Sequence, residues 1–196
     1  MKSLELLKSL TNSCEQINSI VQKDLLTLSK DQLRWKSNEN SWSIIECLEH
    51  IVLSGDYYLK EIKKKFDKKI PSNTPINIQY NPGLIGNYST KSMEPKEGKI
   101  KVKMKTLKRM KPGKSQLDTD RIIDKFQNYQ KETLALLDKS RFYDLGKIKI
   151  NSSLGILIRF KLGDAFRFVI AHNQRHMLQA KNVMNIRDFL KVNLIH

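Results

Sequence analysis

The stretch SIIECLEHIVLSGDYYLKEIKKKF, residues 43 to 66, reads as one amphipathic helix. Its apolar residues Ile44, Cys47, Leu48, Ile51, Tyr58, Ile62 and Phe66 return at helical spacing and line a single face. Ser43 and Glu46 carry the S-x-x-E spacing of a capping box immediately ahead of the hydrophobic run. Lys63, Lys64, Lys65, Lys68 and Lys69 suit the negative end of a helix dipole, and Pro71 and Pro75 close the element. One imidazole, that of His50, lies among the apolar positions, one turn beyond Glu46 and Cys47.

Upstream, Leu7, Leu10, Cys14, Ile17, Val21, Leu25 and Leu28 alternate steps of three and four, which predicts a helix over Ser3 to Leu28. Ser29 to Asn40 is polar except for Leu33 and Trp35, as expected of an ordered connection with apolar anchors. Downstream, Ser72 to Lys114 is broken by Pro82, Gly83, Gly86, Pro95, Gly98, Pro112 and Gly113. Lys99 to Lys105 within it alternates basic with apolar residues, the pattern of a short strand or extended arm. A third helix is expected from Asp118 to Ser140, capped by Asp118 or Thr119, with Ile122, Phe126, Tyr129, Thr133, Leu136 and Leu137 on one side. Arg141 to Phe160 forms a second connection whose apolar part, Leu154 to Phe160, is expected to cover one end of the bundle. A fourth helix opens near Gly163 or Asp164 and runs to Met184, with Phe166, Val169, Ile170, Met177, Ala180 and Val183 inward. Ile186, Phe189, Leu190 and Val192 should dock the tail as a short helix.

No strand pattern competes over the long segments, so the fold class is all-α: a four-helix bundle forming one domain over residues 1–196. The long connection between helices 2 and 3 has a topological reason, because parallel neighbours in a bundle require a crossover. Its Pro, Gly and Lys content predicts a basic surface excursion over residues 72–114.

Hydrophobic residues at 39% and charged residues at 29% are ordinary for a globular protein. No apolar run approaches the ~20 residues of a membrane span, and the first ten residues lack a signal-peptide h-region. Cys14 and Cys47 fall in apolar-periodic segments and read as buried thiols in a reducing compartment, so a cytoplasmic chain is expected. The net charge of +16 attracts nucleic acid by counterion release. Yet Arg supplies only eight of the 36 basic residues, and lysine-rich surfaces mostly serve solubility.

The chemistry concentrates in histidine. Of four His, three lie on predicted helices among apolar residues: His50, His172 and His176. An unpaired imidazole there is costly to bury. His172 and His176, four apart, share one helix face and can chelate one metal. Asn173 stands where a zincin protease needs Glu, which excludes that class. Three neutral imidazoles with an open fourth position form the ligand set of a catalytic zinc centre, and nickel also suits nitrogen donors. Glu46 is a candidate base or outer acceptor, although its capping role already accounts for it. Gln179, three residues after His176, is a candidate to orient an imidazole or a water. Trp42 reads as a plug at the helix start, and Tyr57 or Tyr58 as a cavity wall.

The segment Ser41-Trp42-Ser43-Ile44-Ile45-Glu46-Cys47-Leu48-Glu49-His50 resembles the W-S-x-x-E-x-x-x-H element of the DinB-like superfamily. His172-Asn173-Gln174-Arg175-His176-Met177-Leu178-Gln179 resembles its closing H-x-x-x-H-x-x-Q element. The likeness runs from the first helix to about Met184. It implies a four-helix bundle with the family's metal triad at His50, His172 and His176, holding one divalent ion, Zn or Ni. It also implies a metal-dependent enzyme, since relatives include bacillithiol and mycothiol S-transferases and others described only as metal-dependent hydrolases. The expected partners are a small thiol and an electrophile, with a homodimer open and no membrane. The alternative is a non-catalytic metal-binding or interaction module whose basic surface engages nucleic acid or a partner protein.

Overall fold

A computed structural model of the chain describes residues 1–100, 106–113, 118–155, 157–189 and 192. The capping box forms as its spacing dictates. Ser43 Oγ accepts the Glu46 N–H at 3.2 Å, and Glu46 Oε2 accepts the Ser43 N–H at 2.7 Å. From that cap, helix α3 runs Ile44–Phe66. The other elements are α1 (Ser3–Ile20), α2 (Lys30–Arg34), α4 (Leu84–Met93), α5 (Thr119–Lys139), strands β1 (Lys149–Asn151) and β2 (Arg159–Lys161), and α6 (Leu162–Met184). Asp118 caps α5 by accepting the Arg121 N–H. The helix expected to reach Leu28 ends at Ile20 and continues as a wide turn over Val21–Leu25, which keeps Val21 and Leu25 in the core.

Four helices build the bundle: α1 and α3 each pack against both α5 and α6. Their directions follow from end contacts. Phe66, closing α3, stacks on Tyr143 just beyond α5, and Lys139 of α5 lies over the Phe66 ring. Thus α3 and α5 run parallel, and the connection between them must carry the chain back along the bundle. Lys181 near the end of α6 pairs with Asp24 beyond α1, so those two are parallel as well. The all-α bundle with its crossover is therefore the architecture present. The small β1–β2 ribbon, with Ile150 opposite Phe160, seals the junction into α6.

The crossover is mostly exposed, yet it is tied to the bundle at several points. Residues 72–80 bond to the start of α1 and the segment after α5, through Ser72 to Phe142, Ile76 to Arg141 and Tyr80 to Met1. Helix α4 then lies on α6. A Cβ on Gly86 would sit 2.6 Å from the Asp164 side chain, so only glycine permits this approach. Asp164 accepts the Gly83 N–H at 2.8 Å and thereby anchors the beginning of α4. Tyr80, Met93 and Met110 are buried. A few anchors thus seat the segment without a continuous apolar stripe, while Leu84, Ile85 and Tyr88 remain on the exposed side of α4. The alternating stretch Lys99 to Lys105 lies mostly outside the described residues, as do Leu190 and His196 of the tail. Phe189 is buried edge-on against Trp35. Leu154 and Leu157 are exposed rather than covering the bundle end; among the described apolar residues of that stretch, Phe160 and partly Ile158 turn inward. Among the described residues, no helix is long and apolar enough to cross a membrane.

Candidate metal centre

His50 comes from the first turns of α3, and His172 and His176 from successive turns of α6. Because these helices pack antiparallel against each other, the three rings meet inside the bundle. Their candidate ligand atoms lie within 4.8 Å of one another, and His50 Nε2 is 3.1 Å from His172 Nε2. The ring centroids stand 4.5 to 4.9 Å apart. A tetrahedral ion with M–N bonds of 2.0–2.1 Å needs nitrogens roughly 3.3 Å apart, so the three residues could hold a metal ion.

Partners on the far side of two rings set their protonation. His50 Nδ1 donates to the Met110 carbonyl at 2.6 Å, since a carbonyl can only accept. His176 Nδ1 donates to Gln179 Oε1 at 3.0 Å. Both rings therefore present Nε2 with its lone pair toward the cluster. Burial lowers the pKa of all three. His172 is pushed down to about 3, first by burial and then by the charges His50 and Arg175 would place beside it. His176 is held well below the ordinary range by burial and by His172 and His50. His50 is lowered by burial against the opposing Met110 bond. At neutral pH the cluster consists of neutral imidazoles, the form a metal requires.

The other sequence candidates separate clearly. Gln179 contacts a cluster ring. Glu46 has both carboxylate oxygens engaged, Oε2 by the Ser43 N–H and Oε1 by Lys36 at 3.1 Å. Trp42 does more than plug the helix start: its ring stacks on His176 at 5.7 Å and tilts against His50 at 4.8 Å. Cys14 and Cys47 are buried free thiols, with burial raising Cys14 to about 12 and Cys47 upward as well. Neither is a ready ligand or nucleophile. Asn173 turns into the core, donating to the Tyr129 hydroxyl at 2.9 Å.

A cavity of about 1080 Å³ opens over the cluster. Tyr58, Phe168, Trp42 and Val183 form apolar wall, while Arg175, Lys36 and Lys111 bring positive charge. Tyr58 is fixed by contacts of its hydroxyl with the Ser152 and Ser153 hydroxyls, both at 3.1 Å. Residues 106–113 close one side and supply the Met110 carbonyl. Sequence reasoning missed that acceptor: a backbone oxygen leaves no mark on residue type.

A family model described as the DinB superfamily matches residues 20–180. No curated protein and no solved structure matches the chain.

Proposed function

The chain belongs to the DinB superfamily, and on that premise we propose that it is a metal-dependent enzyme joining a low-molecular-weight thiol to a small electrophile. The observation that supports this reading most directly is the set of three neutral imidazoles converging at the floor of a large cavity. His50, His172 and His176 would hold one zinc or nickel ion. When bound, such an ion supplies Lewis acidity that lowers the pKa of a thiol at the position the histidines leave open.

The protein's own groups do the rest. Met110 and Gln179 hold two of the imidazoles in the tautomer that offers Nε2 inward. Trp42 packs against the His50 and His176 rings at the cavity wall and restricts their rotation. Tyr58 and Phe168 give the electrophile an apolar bed. Arg175 and Lys111 place positive charge where an acidic thiol of the bacillithiol type would carry its carboxylates. Lys36 is partly committed to Glu46 and contributes less.

Elemental analysis of protein purified without added metal, beside a His172→Ala variant, tests the ligand set. Conjugation of bacillithiol to monochlorobimane tests the reaction. We expect about one metal per wild-type chain and metal-dependent conjugation, with both lost in the variant. Wild-type protein that neither retains nor takes up metal would overturn the reading. Metal-dependent ester cleavage without thiol consumption would replace transfer by hydrolysis.

A further inference from the structure

Residues 110–113 form a short strap at the cavity rim beside α3, and both its ends are tied to adjacent residues of that helix. At one end the Met110 carbonyl accepts from His50 Nδ1 at 2.6 Å. At the other, Gly113 donates its N–H to Glu49 Oε2 at 2.9 Å. Neighbouring residues on a helix point about 100° apart, so Glu49 reaches outward to the strap's far end while His50 turns inward. A closed loop results, running His50, Met110, Lys111, Pro112, Gly113, Glu49. Pro112 stiffens its middle, and the buried Met110 side chain keys it into the cavity wall. Arg109 steadies the approach, with its guanidinium 5.4 Å above the Tyr57 ring and its Nη2 3.4 Å from the Ser153 carbonyl.

We propose that Glu49 is a positioning residue for the metal centre: by pinning Gly113 it holds the Met110 carbonyl against His50 and so fixes the imidazole tautomer that presents Nε2. The proposal deepens the metal-centre reading and rests on it. Glu49 touches neither metal nor substrate. Its action passes through backbone atoms of the strap, whose end at Gly113 is held by its carboxylate. Without that anchor, Met110 can draw away from His50. The ring is then free to carry its proton on Nε2, where it blocks ligation.

The test uses the full chain, freed of metal and titrated with Co²⁺ at pH 8 against a competing chelator. Ring tautomers are read by ¹⁵N NMR of the metal-free protein. Glu49→Ala is expected to weaken Co²⁺ binding by about tenfold or more, the scale of losing an outer-shell partner, and to shift His50 away from pure Nδ1–H. Glu49→Gln retains an amide oxygen that accepts the same N–H, so it should restore both readouts to within about twofold of wild type. Circular dichroism should be the same for all three proteins. Unchanged affinity and an unchanged His50 tautomer in Glu49→Ala would overturn the proposal. A loss in Glu49→Gln as large as in Glu49→Ala would overturn it too, because charge rather than the hydrogen bond would then be at work. Should wild type bind no Co²⁺, the metal reading falls, and the tautomer measurement alone decides whether Glu49 positions His50.

Discussion

Replacing Asp164 by Ala tests how the crossover is held to the bundle. Asp164 is fully buried in the first turn of α6. Its Oδ2 accepts the Gly83 N–H at 2.8 Å, its Oδ1 accepts from Arg167 Nη1 at 3.1 Å, and its Cβ and Cγ fill the space that Gly86 leaves open. Breaking a buried ion pair by deleting one partner costs about 3–5 kcal/mol when the survivor is stranded. Arg167 is not wholly stranded, because its Nη2 still donates to Asn87 Oδ1 at 3.0 Å and its side chain keeps some solvent access. The Gly83 N–H, by contrast, loses its acceptor, worth about 1–3 kcal/mol. The lower end of the first range is therefore appropriate, a loss of about 3 kcal/mol. For a domain of this size that lowers Tm by roughly 6–12 °C. Urea unfolding followed by circular dichroism measures it, and the m-value should be unchanged because the same surface is exposed on unfolding. Limited proteolysis should also cut residues 81–93 faster. A loss below about 1 kcal/mol, with α4 as protected as before, would refute the idea that one carboxylate anchors the crossover.

Gly55→Ala should be among the most damaging single changes in the core, because its Cβ would lie 2.3 Å from the Tyr129 ring; we expect about 3 kcal/mol or more lost in chemical denaturation. Metal-free protein should lose stability as pH falls below about 6.5. The unfolded imidazoles take up protons there while the folded ones, with depressed pKa, do not, giving a slope of up to about 1.4 kcal/mol per pH unit for each histidine; a flat profile of urea midpoints between pH 7 and 4.5 would contradict this. Gln179→Ala should weaken metal binding by about 10–100-fold in a chelator competition, whereas His172→Ala should abolish retention while leaving the helical circular dichroism signal intact.

The four bundle helices were legible because each buries a stripe whose period exceeds any noise from composition. The Ser43–Glu46 box located the start of α3 to the residue, since both halves of that cap are local in sequence. The crossover was less legible for the opposite reason. Its contacts depend on single residues, Tyr80, Met93 and Gly86, each meeting a partner far away in sequence, and no periodicity reports such meetings. Proline and glycine there mark where regular structure stops; they do not say whether the intervening chain is seated. Leu84, Ile85 and Tyr88 are exposed on one side of α4 while its opposite side lies on α6, a division that so short a helix does not announce as a stripe.

The same distinction governs the site. Three buried imidazoles in a chain with so few histidines already require a shared purpose, because each alone would be an unsatisfied polar group in a core. Their convergence follows once α3 and α6 are placed side by side. What orients them divides by distance along the chain. Gln179 is one turn from His176 and could be named from spacing. The Met110 carbonyl is sixty residues from His50 and belongs to a peptide group that every residue type carries. The crossover is thus more than the topological cost of setting two helices parallel. It returns along the bundle to the level of His50, closes the cavity there, and supplies the acceptor that decides which nitrogen of the first histidine is free.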